Sequence, residues 1–265
     1  MNTPSVISRT ARLCAFSIAA ALVACAAPSS PSGPAPLSSQ QIAQIVASPD
    51  RTAADRNNDL RRKPEAVLAF IGPRPGMIAL DVSAGGGYTT ELLARAIGRT
   101  GAVYGQSPPR NPNRSAAALA EREQRLRGAN VAAAPITAVQ RPFDDPIPPE
   151  LADGKLDLVT LMFNYHDFGA MGVDRAKLNA SVFRALRHGG LYVIADHAGR
   201  PGTGISESGT LHRIEEAFLR REVEAAGFKL AGEGTFLRNP ADPRDQNTPN
   251  PPQPKDEFVL KFVKP

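Results

Sequence analysis

The 265-residue sequence predicts an α/β fold: a mostly parallel seven-stranded sheet flanked by helices and closed by an antiparallel hairpin. Three observations carry this. Apolar runs of strand length alternate with segments of helical periodicity. The run Leu156–Phe163 is nearly uninterrupted in its apolarity, as in a strand covered on both faces. Two late strand-like runs, Phe228–Leu237 and Phe258–Val263, follow each other with no helical pattern between them.

Taken in order, the chain begins with Arg9 and Arg12 and no acid, followed by an apolar run over residues 13–24. That is the pattern of a signal peptide, and the run is too short to span a bilayer comfortably. Leu22-Val23-Ala24-Cys25 resembles the lipobox of bacterial lipoproteins. The resemblance implies that residues 1–24 are removed and that Cys25 is acylated, which with several chains gives a stable anchor. Ala26 rather than Asp follows, so it also implies a periplasmic protein at the outer membrane. An ordinary secretory signal with an incidental Cys25 is the competing reading. Cys14 would leave with the leader, so no thiol would remain for a disulfide, a metal or a nucleophile. Residues 25–37 are Pro/Ser-rich and read as a tether, leaving 38–265 as the folded domain.

Within the domain, Ser38–Val46 reads as a capped helix. Arg51–Ala69 is charged and then apolar, with Pro64 placed to start a helix. Met77–Ser83 is a buried strand, Gly85-Gly86-Gly87 a turn, and Thr89–Ile97 a helix stopped by Gly98. Ala102–Gly105 is a strand, Ala116–Arg127 a helix, and Val131–Val139 holds a third strand. After Leu156–Phe163, a helix over Arg175–Arg187 is stopped by Gly189-Gly190, and Leu191–Ala195 is the next strand. His188 then sits at a helix C-terminus as a favourable cation. Thr210–Ala226 reads as a helix with Leu211, Ile214, Phe218 and Ala225 on its core face and Gly227 as its stop.

Charge and composition narrow the function. Lys+Arg is 31 against 26 Asp+Glu, and loss of Arg9 and Arg12 would leave 29 against 26, spread along the chain. That balance gives little support to a nucleic-acid partner. Trp is absent and aromatic residues are 6%, which argues against a carbohydrate groove or a base-stacking platform.

A strand, a Gly-rich turn and a helix together let backbone N–H groups approach a nucleotide-like ligand. Here they are Ala79-Leu80-Asp81-Val82-Ser83-Ala84-Gly85-Gly86-Gly87-Tyr88, without the G-x-G-x-x-G dinucleotide spacing. The segment resembles motif I of the class I S-adenosylmethionine-dependent methyltransferases, acidic-x-G-x-G-x-G. Asp81 matches the acid, Gly85 and Gly87 match two glycines, and Ser83 replaces the first. Leu156-Asp157-Leu158-Val159 and the Ala185–His197 segment resemble later strands of that family. Tyr165-His166-Asp167, Asp196-His197, Leu211-His212-Arg213-Ile214-Glu215-Glu216 and Arg51…Arg56…Asp59…Arg62-x-Pro64 resemble a branch of exported predicted methyltransferases. The resemblance implies S-adenosylmethionine as cofactor, cradled by Asp81, Ser83, Gly85 and Gly87. It implies a ribose-binding acid after the next strand, where this sequence offers Gln106. The acceptor would be a small molecule or an envelope component.

In an open α/β sheet, ligands bind beyond the carboxyl ends of the strands. Asn164, Tyr165, His166 and Asp167 lie at one such end, Asp196 and His197 at another, and His212 opens the following helix. Three readings compete. A histidine, His166 or His197, oriented by a carboxylate takes a proton from the acceptor, with Asp167 and Tyr165 assisting. Alternatively His166, Asp167, Asp196, His197 and His212 hold a divalent metal, the less favoured case. Or the groups satisfy one another, as in a non-catalytic binding lipoprotein on the same fold. Arg213 and Glu216 fit a surface pair as well as a site.

Overall fold

The computed structural model describes residues 1–3, 34–247 and 254–265. Residues 4–24 of the expected leader, Cys25 and residues 26–33 of the tether lie outside the described residues. No helix among the described residues is long and apolar enough to cross a membrane.

Three helices precede the sheet. Helix α1 (Ser39–Ala47) starts at a capping box, in which Ser38 and Gln41 satisfy each other's backbone N–H groups. Helix α2 (Ala53–Arg62) is capped by Thr52, and α3 (Pro64–Ile71) begins with Pro64 where no backbone donor is needed. The sheet then alternates with helices: β1 (Ile78–Val82), α4 (Tyr88–Ile97), β2 (Ala102–Ser107), α5 (Arg114–Gly128), β3 (Ile136–Gln140) and β4 (Leu156–Met162). A short α6 (Asp167–Ala170) and α7 (Arg175–Ala185) lead to β5 (Leu186–His197), followed by α8 (Glu216–Ala225), β6 (Lys229–Gly234) and β7 (Glu257–Val263).

The seven strands stand in the order β3-β2-β1-β4-β5-β7-β6. The first five pair in parallel, and β7 runs antiparallel between β5 and β6. This is the expected sheet. Alternate residues feed two cores. Leu80, Val82, Val159, Leu161 and Ile194 pack with Leu178 and Val182 of α7 and Leu219 and Val223 of α8. Ala79, Leu158, Val193 and Ala195 pack with α3, α4 and α5 on the other face. The carboxyl ends of β1, β4 and β5 therefore share one edge, as pairing Asp81↔Thr160 and Met162↔Ala195 requires.

Several sequence-based boundaries move, those of β5 and α8 through long-range contacts. Strand β5 starts at Leu186, before the Gly pair. Its pairing with β4 skips from Leu156↔Leu186 to Leu158↔Leu191, and Arg187–Gly190 bulge out. The end of the chain zips this stretch: Gly189 N–H donates to the Lys264 carbonyl and Lys264 N–H to the Gly190 carbonyl. His188 is thus no helix terminus; its Nδ1 lies 2.6 Å from the Pro265 carbonyl. Helix α8 starts at Glu216, because Ile214 bridges Ala198 beside β5 and its N–H bonds the His197 carbonyl. Its core face is accordingly Leu219 and Val223, and Ala225 is exposed. Strand β3 begins only at Ile136. Strand β2 runs on to Ser107, which carries Gln106 inside the sheet.

Candidate active site

The Gly-rich turn joins β1 to α4. Ser83, Gly85 and Gly87 all take positive φ, at 58°, 56° and 77°. Serine at the first of these holds a conformation that glycine would adopt more freely. At Gly87 an added Cβ would stand 2.8 Å from the Leu119 and Arg122 side chains of α5, so that glycine lets the helix close on the turn. At Gly85 the nearest atom would be 3.9 Å away, so the space above it is open. Ala84 N–H donates to the Gln106 carbonyl and Gly87 N–H to the Ala84 carbonyl. Gly85 and Gly86 are exposed, and among the described residues their N–H groups have no such partner.

Two residues expected to touch a cofactor are occupied internally. Asp81 is buried; Thr90 donates to one of its oxygens and Thr160 to the other, both at 2.7 Å. Burial pushes its carboxyl up to about 6, against the lowering effect of both hydroxyls and of Arg62. It fastens β1 to β4 and α4. Gln106 is fully buried. Its oxygen accepts Ser83 N–H at 3.0 Å and its amide donates to the Arg141 carbonyl at 2.6 Å. It braces the turn and presents no group at the rim. Ser107, one residue on, lines the adjoining groove.

Two cavities meet at the turn. One, of about 260 Å³, is lined by Asp81, Ser83, Gly85, Asn58, Arg62 and Arg122 among others. The other, of about 730 Å³, runs from Ser83 and Gly85 past Ser107 and Asn113 to Asn164. An Arg–carboxylate network holds the first cavity's walls. Arg122 donates to the Gly86 carbonyl at 2.5 Å and forks onto Asp55 at 2.8 and 2.9 Å. Buried Glu91 accepts from Arg95, Arg122 and Arg125. Asp59 accepts two bonds from Arg51 and one from the Tyr88 hydroxyl.

Arg62 stands apart. Its guanidinium carbon lies 3.8 Å from the Phe163 ring centre, and it makes no ion pair or hydrogen bond among the described residues. Burial, with like charge from Arg61 behind it, lowers its pKa to about 10, so it remains charged. A half-buried, unpaired cation in a cavity is poised for an anionic group. The sequence held this residue only within a family-like segment; no local pattern marked it as facing the turn.

The rim cluster assembles from three segments. Asp196, fully buried at the end of β5, receives the His166 backbone N–H at 2.8 Å on one oxygen. On the other it receives the His166 Nδ1–H at 2.5 Å and the His197 N–H at 2.8 Å. A carboxylate only accepts, so the Nδ1 proton is assigned. Nε2 lies 3.1 Å from Asp167 Oδ1 without a directed hydrogen bond. His212 Nδ1 lies 2.7 Å from the same oxygen. Burial disfavours the charge on His166, but the Asp196 hydrogen bond and the charges of Asp196 and Asp167 outweigh it and raise its pKa above the ordinary histidine value.

The sequence-based placement changes for the remaining candidates. His212 is in the loop before α8, at φ 51°, not on the helix. The His197 ring is 5.2 Å from that of His166, but its Nδ1 is buried without a hydrogen bond, 3.0 Å from Glu257. Burial pushes its pKa down to about 3, so it is neutral. Tyr165 turns into the core, fully buried, where its hydroxyl donates to Glu222 and accepts from Asn179, both at 2.9 Å. Arg213 is also fully buried and pairs with Asp242 rather than Glu216, which pairs with Arg238.

A family described as a methyltransferase domain matches residues 80–194, from β1 into β5. No curated protein matches the chain. A methyltransferase dependent on S-adenosylmethionine from Aquifex aeolicus is 16% identical, with a TM-score of 0.55 over 86% of this chain and 100% of its own. An arsenic(III) S-adenosylmethionine methyltransferase from Chlamydomonas reinhardtii is 15% identical, with a TM-score of 0.57 over 84% of this chain and 73% of its own. Geranyl diphosphate C-methyltransferase from Streptomyces coelicolor is 14% identical, with a TM-score of 0.55 over 88% and 90%. The chain thus has the fold of these class I methyltransferases, and residues 80–194 match the methyltransferase-domain family.

Proposed function

We propose that this chain, an enzyme built on a methyltransferase domain, transfers a methyl group from S-adenosylmethionine to a small-molecule or envelope acceptor. One observation carries the reading: the open Gly85–Gly86 backbone and the unpaired Arg62 guanidinium line the same cavity. Free N–H groups and the positive end of α4 favour polar and anionic ligand atoms. Arg62 would take the carboxylate of the methionine end. The longer groove past Ser107 and Asn113 would take the nucleoside, with a serine hydroxyl in place of a carboxylate toward the sugar. When bound, the cofactor supplies an electrophilic methyl group; the protein orients the acceptor for in-line attack. The acceptor would approach from the Asn164 end, beside the His166–Asp167–His212 rim. In this reading Cys25 is lipidated and the domain sits in the periplasm on its tether.

A second reading is a non-catalytic binding lipoprotein, favoured by one observation: Asp81 and Gln106 spend their side-chain groups on the protein itself. Calorimetry with S-adenosylmethionine and with 5′-methylthioadenosine, which lacks the amino-acid end, separates the two. The parent should prefer the full cofactor, and Arg62→Met should lose about 10- to 100-fold of that preference, a charge-assisted bond being worth roughly 1.5–3 kcal/mol. An unchanged preference in Arg62→Met would remove the assigned role of this arginine.

A further inference from the structure

We propose that His166, Asp167 and His212 form an open site for a divalent transition-metal ion, oriented from behind by Asp196. Their donor atoms, one from each side chain, all lie within 4.8 Å of one another. The separations about Asp167 Oδ1 are 3.1 Å to His166 Nε2 and 2.7 Å to His212 Nδ1. Ligands at about 2.0–2.2 Å from an ion, at angles of roughly 90–110°, stand about 3.0–3.4 Å apart. The two separations about Asp167 Oδ1 therefore lie within a few tenths of an ångström of those of a ligand set.

The surroundings fit a ligand set better than a plain ion pair. Asp196 takes the His166 Nδ1–H and the backbone N–H of the same residue, which fixes the ring plane and leaves Nε2, beside Asp167, as the nitrogen that would bind the ion in place of a proton. A buried carboxylate behind a histidine is the arrangement that orients metal-binding imidazoles. His212 reaches the cluster from a loop residue at φ 51°, an uncommon conformation for a residue with a side chain. Two histidines and one carboxylate suit Zn²⁺, Fe²⁺, Co²⁺ or Mn²⁺. The His212 side chain is 44% exposed and that of Asp167 23%, so coordination positions remain on the solvent side, as in sites that bind water or a substrate oxygen. Of the five residues the sequence nominated, Asp196 lies behind the donors and His197 stands against Glu257, so three remain as ligands.

The test is a titration of the untagged, chelator-stripped chain with Co²⁺, read by visible absorption, and with Zn²⁺ by competition. One Co²⁺ per chain should bind and be displaced by Zn²⁺. Asp167→Asn and His212→Gly should each weaken binding at least tenfold, and glycine suits the positive φ at 212. Asp196→Asn should weaken it by about 10- to 100-fold. His188→Ala, at the other end of the strand, should leave it unchanged. Circular dichroism confirms that each variant is folded. No stoichiometric binding to the folded parent, or equal affinity in His212→Gly, would overturn the site. So would loss of binding in His188→Ala.

Discussion

Asp81 is the acid of the Gly-rich motif, yet both its oxygens are occupied by threonine hydroxyls inside the protein. Its carboxyl is pushed from 3.8 to about 6 by burial. Folded protein then holds this proton at pH values where the unfolded chain has lost it. Stability contributed through this group is therefore greatest below about pH 4, falls as pH rises to about 6, and levels off above. A shift of about two pKa units corresponds to about 3 kcal/mol. Asp81→Asn removes the charge and keeps an acceptor for one threonine and a donor for the other. The variant should equal the parent near pH 4 and exceed it by up to about 3 kcal/mol at pH 7–8. Urea unfolding at several pH values measures this directly. A difference independent of pH, or a variant that falls behind as pH rises, would refute the reasoning. In that case the Arg62 charge and the two hydroxyls outweigh the cost of burial.

Tyr165→Phe should lower stability by roughly 1–3 kcal/mol, because it leaves Glu222 and Asn179 without their shared hydroxyl. Cofactor affinity should not change; loss of binding or turnover with unaltered stability would return this tyrosine to the site. Cys25→Ser should move the protein from the membrane fraction to the soluble periplasm, and membrane pelleting that survives a high-salt wash would contradict lipidation.

Local chemistry made much of the fold readable. Ser38, Pro64 and Gly98 mark helix ends because capping, a missing N–H and a positive φ act within one turn. The turn at Ser83–Gly87 was readable for the same reason. What escaped depends on residues far away in sequence. The helix read to Arg187 gives way to strand because Lys264 and Pro265 pair with that stretch. Tyr165 and His166 are adjacent, yet one enters the core and the other the rim; Glu222 and Asp196 decide which, from 57 and 30 residues away. Arg62 carries no local signature of its lack of a partner. Gln106 looked available until β2 proved two residues longer, which aimed it at Ser83 and Arg141.

The central claim is that the cradle at Gly85 and Gly86 binds S-adenosylmethionine. Isothermal titration of the purified chain with this cofactor tests it most directly, with Gly85→Val run beside it. The added branched side chain would stand in the open space over the turn, at a φ of 56° that β-branched residues avoid. The parent should give a saturable one-site isotherm and the folded variant none. A well-folded parent that shows no heat at millimolar cofactor would contradict the account and favour the binding lipoprotein.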